Sequence, residues 1–153
     1  MHQKPRDFQT KVIIFWGDAG TGKTKRAMGF PNPYRASVCQ NRNLYLDGYE
    51  PNYHETVVFD DYYGGIKWTE LLQIMDRYDQ TCHVKGGMVK FKPKWLIFTS
   101  NVHPREWYPK MFADHKKQEA FWRRVYHIEE FKRPRAVYVP APRAKTPPPA
   151  LGS

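Results

Sequence analysis

Lys23 and Thr24 close an eight-residue stretch, Gly17-Asp18-Ala19-Gly20-Thr21-Gly22-Lys23-Thr24, whose residue types suit the binding of phosphate groups. Its three glycines allow positive φ and close backbone approach, so that successive N–H groups can converge on one anion. Lys23 supplies a full positive charge, and Thr24 supplies a hydroxyl for a metal ion. A helix beginning near Lys23 turns the positive end of its dipole toward the same point. The spacing fits G-x-x-x-x-G-K-[ST], the loop that holds a nucleotide such as ATP with Mg²⁺ as counter-ion. The bland alternative is a chance glycine turn ahead of a helix. The apolar run Val12–Trp16 before it and the helical pattern after it weigh against chance.

Two other places carry chemistry of the same kind. Val57–Phe59 is a short apolar run that ends in Asp60 and Asp61. Of two adjacent carboxylates, one can hold Mg²⁺ while the other orients and polarises an attacking water. Alone, such a pair is more often a turn or a helix cap. Trp95–Phe98 is a second run, with Thr99, Ser100 and Asn101 emerging from its end. An uncharged amide at Asn101 can bond both a terminal phosphate and a water without the repulsion of a carboxylate.

These residues need a scaffold that brings them together. Apolar runs without alternation read as strands buried on both faces, as in a parallel sheet. Ligands bind such sheets beyond the carboxyl ends of the strands. A fourth run, "VYHIEEF", follows Arg123 and Arg124, and "YRASVCQ" supplies a fifth. Leu71, Leu72 and Met75 in "WTELLQIMDRY" fall at helical spacing and read as core packing. One of the paired arginines, Arg123 or Arg124, suits a finger that neutralises a transferring phosphoryl group. A surface cation pair is the alternative. The segment "TCHVKGGMVKFKPK" carries a hairpin signal at Gly86–Gly87, with Lys85, Lys90, Lys92 and Lys94 on and around it. Lysines there can touch nucleic-acid phosphates without reading sequence, or can merely keep an edge hairpin from aggregating.

In chain order, "GDAGTGKT", "VVFDDYYG", "KGGMVKF", "IFTSN" and "FWRRV", with "DGY" at Asp47–Tyr49, resemble the superfamily 3 helicase domain of replication-initiator (Rep) proteins. These proteins belong to circoviruses and related circular single-stranded DNA viruses. The resemblance covers about residues 10–131. It implies an α/β P-loop NTPase with an AAA+-like parallel sheet of about five strands, flanked by helices and carrying an inserted DNA-binding hairpin. It also implies hexameric homo-oligomer rings and ATP-driven 3′→5′ movement on single-stranded DNA in rolling-circle replication, in the host cell nucleus. By that resemblance His83, Lys85 and Lys90 contact DNA, with Gly86 and Gly87 shaping the turn, and the arginine finger comes from the neighbouring subunit. Rep proteins carry an origin-nicking endonuclease domain upstream. No His-x-His pair and no strong nicking tyrosine occurs here, so that domain is expected to be missing from this chain.

The whole-chain properties agree. A length of 153 residues suits one domain, able to bury roughly 70% of its unfolded surface. The formal charge of +10 points to a polyanionic partner, and 16% aromatic residues suit stacking on single-stranded bases. No apolar run is long enough to span a membrane, and the N-terminus lacks a signal-peptide core. Cys39 and Cys82 form no C-x-x-C pair, and His2, His54, His103, His115 and His127 show no ligand spacing. Residues 1–10 read as an extension, 11–131 as the ATPase domain, and the Pro-rich basic stretch 132–153 as a disordered tail. Three other functions compete: an RNA helicase of the same superfamily, a P-loop kinase of a small acceptor, and a DNA-binding module with a vestigial nucleotide site.

Overall fold

The computed structural model describes residues 9–36, 44–76 and 80–134. Its elements run β1 (Lys11–Gly17), α1 (Lys23–Met28), β2 (Pro33–Ala36), β3 (Thr56–Phe59), α2 (Trp68–Ile74), β4 (Gln80–Val84), β5 (Gly87–Phe91), β6 (Trp95–Ser100), α3 (Pro109–Phe112), α4 (His115–Arg123) and β7 (Val125–Phe131). The five strands expected from the apolar runs form one sheet in the order β2-β3-β6-β1-β7. Every neighbouring pair in it is parallel. Crossovers between parallel strands put helices on the sheet faces, which is why β1, β3 and β6 are apolar at nearly every position.

Alternate residues of these strands enter two cores. Val12, Ile14, Val57, Phe59, Leu96 and Phe98 pack into the larger one, with Trp68, Leu71 and Phe121 from α2 and α4. Ile13, Phe15, Val58 and Ile97 pack on the other face, against Ala27 of α1. Phe98 is the hub of the larger core. It is 1% exposed, stacks on Phe59 at 5.3 Å, and meets Tyr62 at 5.0 Å and Trp107 at 5.7 Å. Leu71 and Met75 are buried as the helical spacing implies, and Leu72 is partly buried against the same cluster.

Two sequence expectations need correction. Thr99 and Ser100 do not emerge from β6 but belong to it, paired with Phe15 and Trp16 of β1. Both are fully buried, and their hydroxyls have partners: Thr99 donates to Asp60 at 2.7 Å, and Ser100 accepts from the Trp107 indole at 2.9 Å. The hairpin turn is also one residue earlier than the glycine pair indicates. Val84 pairs with Gly87, so Lys85 and Gly86 make the turn, with Gly86 at φ 91°. Gly87 is the first residue of β5.

The "YRASVCQ" strand is seen as β2 through Ala36; Cys39 lies outside the described residues, as do His2 and residues 135–153. Burial pushes the Cys82 thiol up to about 12, which leaves it a packing residue. Among the described residues no helix is long and apolar enough to cross a membrane. Phe98→Ala should cost about 3–5 kcal/mol and lower Tm by on the order of 10 °C in thermal denaturation, because three aromatic rings lose their common neighbour.

Candidate functional site

Lys23 is 6% exposed, and its ammonium donates to the carbonyls of Gly17 at 2.9 Å and Asp18 at 2.6 Å. Burial lowers its pKa, while Asp61, Asp18 and Asp60 act in the opposite sense. The loop folds over this cation, with Gly20 at φ 73° and Gly22 at φ 88°. Gly22 precedes α1 in a left-handed conformation, and no side chain caps the helix. Gly17 serves a purpose other than phosphate approach. At φ 133°, a Cβ there would lie 2.1 Å from the Phe131 carbonyl, so glycine is what lets β7 lie against the loop. The Asp18 N–H then bonds that same carbonyl at 2.8 Å.

Residues Ala19 to Lys25 line a cavity of about 410 Å³, which Asp61 and Asn101 complete. Asp60 stands behind it with 7% of its side chain exposed. Thr24 donates to Asp60 Oδ1 at 2.6 Å, and Thr99 donates to the same oxygen at 2.7 Å. Arg35 of β2 forms an ion pair with Oδ2. Burial alone would raise the Asp60 pKa; the bonds from Thr24, Thr99 and Arg35, with the Arg35 charge, reverse this and hold it below the ordinary carboxylate value. Asp61 takes φ 53°, and its N–H donates to Thr99 Oγ1 at 3.0 Å. That backbone strain turns two consecutive carboxylates in different directions, one into the sheet and one toward the cavity. The three strand ends therefore meet as the sequence implied.

Two cations at this site escaped sequence analysis. Arg35 carries no motif, and only the adjacency of β2 and β3 brings it to Asp60. Arg133 falls in the stretch that composition assigns to the tail. Its N–H donates to Asp18 Oδ2 at 2.9 Å, and its Nε donates to the Ala19 carbonyl at 3.0 Å. Each tethers a neighbouring segment to the phosphate loop or to Asp60.

The paired arginines differ in surroundings. Arg124 donates to the Ala120 carbonyl at 2.7 Å and to Asp76 at 3.3 Å. Its Nε is buried without a hydrogen bond among the described residues. Arg123 is exposed, and no hydrogen bond or ion pair of its side chain is seen among the described residues. Both precede Val125, which pairs with Val12, whereas the phosphate loop starts at Gly17 opposite Phe131. The length of β7 separates them from their own chain's loop by roughly 20 Å.

On the hairpin, Cys82 pairs with Val89, His83 with Met88, and Thr81 with Lys90. Cys82 and Phe91 are buried. His83, Met88 and Lys90 therefore share the outward face, and Lys85 is exposed at the turn. Tyr45 bridges His83 and is 42% exposed. This puts an aromatic ring beside the predicted DNA-contacting residues, a position that sequence spacing does not show.

The phosphate loop and the sheet order define a P-loop NTPase of AAA+-like build. The fold is similar to solved Hsp104 structures: the S. cerevisiae ADP complex has a TM-score of 0.52 and 17% identity, over 80% of this chain and 24% of that one. A family model described as RNA helicase matches residues 13–102. The replication-associated protein of goose circovirus is 44% identical over 103 residues, 67% of this chain and 34% of that protein. That of porcine circovirus 1 is 37% identical over 127 residues, 83% of this chain and 39% of that protein. The chain belongs to this helicase family, as a Rep-type superfamily 3 helicase domain, and spans little more than a third of the length of these relatives.

The Asp60 environment has a consequence for pH. Its folded pKa is depressed, so its stabilisation is complete above the unfolded value and is lost as pH falls through the folded one. Asp60→Asn has no such group. Its Tm should be lower than the parent's at neutral pH, and should fall less between about pH 5 and about pH 2.

Proposed function

We propose that this chain is the ATP-hydrolysing motor domain of a viral replication helicase, moving on single-stranded DNA with 3′→5′ polarity during rolling-circle replication. The observation that supports it is the meeting of Lys23, Thr24, Asp61 and Asn101 at one cavity, with Asp60 bonded to Thr24 behind it. In this role Lys23 exchanges two carbonyl acceptors for the charged oxygens of the β- and γ-phosphates. Thr24 and Asp60 are hard oxygen donors 2.6 Å apart, a pair that suits Mg²⁺. The ion would supply positive charge against the phosphates. Asp61 accepts a proton from, or orients, the attacking water, and Asn101 holds that water and the terminal phosphate by its amide.

Arg123 is the free member of the arginine pair and serves as the finger, while Arg124 anchors the end of α4. Its distance from its own phosphate loop requires that it act on a neighbour, which a ring of identical subunits provides. Residues His83, Lys85 and Lys90 of the hairpin face DNA phosphates in that ring, with Gly86 shaping the turn. The endonuclease domain of the replication initiator then belongs to sequence upstream of this domain, and the host nucleus is the place of action.

A second function deserves a test because the matching family model is described as RNA helicase. ATPase stimulation by matched DNA and RNA oligomers separates the two; greater stimulation by RNA overturns the DNA assignment. Lys23→Ala should reduce ATP affinity and turnover by at least tenfold, and parental turnover in this variant would remove the phosphate assignment. Arg123→Ala should bind nucleotide almost normally yet hydrolyse it on the order of 10³-fold more slowly. Mixing it with Lys23→Ala should restore part of the activity, since mixed interfaces pair an intact finger with an intact loop. No recovery in proven mixed assemblies would rule out action in trans.

A further inference from the structure

A second cavity, of about 380 Å³, is lined by residues that include Asn32, Tyr53, His54, Glu55, Lys92 and Lys94. Glu55 immediately precedes β3, and Lys94 immediately precedes β6. The cavity therefore lies at the amino ends of the strands, at the opposite end of the sheet from the phosphate loop. Nothing in the proposed ATP chemistry uses it.

We infer that this cavity is a base-stacking site for single-stranded nucleic acid, continuing the track that begins on the hairpin. The inference rests on the DNA assignment above and names a surface beyond the hairpin. The connection between the two is the run Lys90-Phe91-Lys92-Pro93-Lys94. Phe91 and Pro93 are buried, Lys90 and Lys94 are exposed, and Lys92 is half-buried. Burying the alternate residues fixes the direction of the lysines between them. Along the extended part, from Lys90 to Lys92, residues two apart stand about 6.6 Å from each other, before the chain bends at Lys94. A row of cations thus leads from the hairpin face into the cavity.

The cavity itself offers an exposed ring and one free charge. Tyr53 is 58% exposed, on a backbone turn that is hydrogen-bonded. Its N–H bonds the Glu50 carbonyl at 3.0 Å, and its ring meets His54 edge-on at 5.0 Å. His54 is fixed in turn, stacked on Tyr49 at 5.8 Å and accepting from the Glu50 N–H at 2.9 Å. The Glu55 carboxylate is already engaged, by Lys94 at 3.2 Å and Asn32 at 3.3 Å. For the Lys92 ammonium no partner is seen among the described residues. An exposed aromatic face beside an ammonium without a protein partner is what holds single-stranded bases without sequence preference. A base stacks on Tyr53, and an adjoining phosphate meets Lys92.

The test is binding of fluorescein-labelled oligothymidylates of increasing length to the full chain, at several salt concentrations. Tyr53→Ala and Lys92→Ala should each weaken binding by about five- to tenfold for oligomers that reach both the hairpin and the cavity. The shortest oligomers that still bind, held by the hairpin, should not sense either change. Tyr53→Phe keeps the ring and should bind like the parent. Lys92→Ala should reduce the salt slope by about 0.7. Parental binding by Tyr53→Ala at every length, with Lys90→Ala weakened, would overturn this site while leaving the DNA assignment standing. Equal losses in Tyr53→Ala and Tyr53→Phe would overturn the stacking role. A parent chain that binds no single strand at any length would remove the DNA assignment, and this inference with it.

Discussion

The Asp60 carboxylate takes donors from three separate elements: Thr24 on α1, Thr99 on β6 and Arg35 on β2. With 7% of its side chain exposed, it has little water to fall back on. Removing the Arg35 guanidinium would take away its counter-ion, and removing either hydroxyl would take away one hydrogen bond to a charged group, about 1.5–3 kcal/mol. The arrangement therefore fixes more than an acid. It holds the first turn of α1 to the sheet and the second strand to the third. It also keeps the Thr99 hydroxyl placed so that it accepts from the Asp61 N–H. Asp61 departs from regular strand geometry at that point, and this is what frees its side chain for the cavity.

A parallel sheet has two unlike ends, and the proposed functions divide between them. The carboxyl ends of β1, β3 and β6 carry the phosphate loop, the acids and Asn101. Arg123 lies toward the other end, before Val125, and the hairpin inserts between α2 and the amino end of β6. In the proposed function, a domain built this way would hold most of a phosphoryl-transfer site but keep its arginine far from its own loop. The separation follows from the length of the strands, so no local rearrangement removes it. Assembly is the remaining way to complete the site, which is the physical content of the ring proposal.

The sequence disclosed most of this architecture because burial on both faces leaves a direct trace, an apolar run without alternation. Gly-rich spacing and terminal acids left equally local traces. Features that depended on another element left none. Arg35 became a site residue only through the pairing of β2 with β3. Arg133 looked like tail because composition says nothing about a segment held by two hydrogen bonds. Thr99 and Ser100 looked like the end of a strand because hydroxyls are costly to bury, and their partners, Asp60 and Trp107, are distant or out of phase in sequence. The hairpin turn was displaced for a similar reason. Two glycines mark a turn, but the register belongs to the pairs Cys82–Val89 and His83–Met88, whose faces decide what is buried.

The same register limits how a nucleic acid on the hairpin and a nucleotide at the loop, as proposed, would influence each other. The strand β6 is paired with β3 on one side and β1 on the other, and Leu96 through Ser100 are buried. It cannot slide by itself without breaking both ladders. A pull on β5 is therefore either transmitted to the sheet as a whole or absorbed between Lys92 and Lys94, where the chain leaves β5 and enters β6. That joint is tied down as well: the Lys92 N–H bonds Tyr49 at 3.2 Å, and the Lys94 N–H bonds the Glu55 carbonyl at 2.8 Å. On the β5 side, therefore, the described residues restrain the hairpin against yielding apart from the sheet. In the proposed ring, a displacement of the subunit driven through β5 would carry Arg123 toward or away from the next subunit's loop, which would couple strand position to hydrolysis.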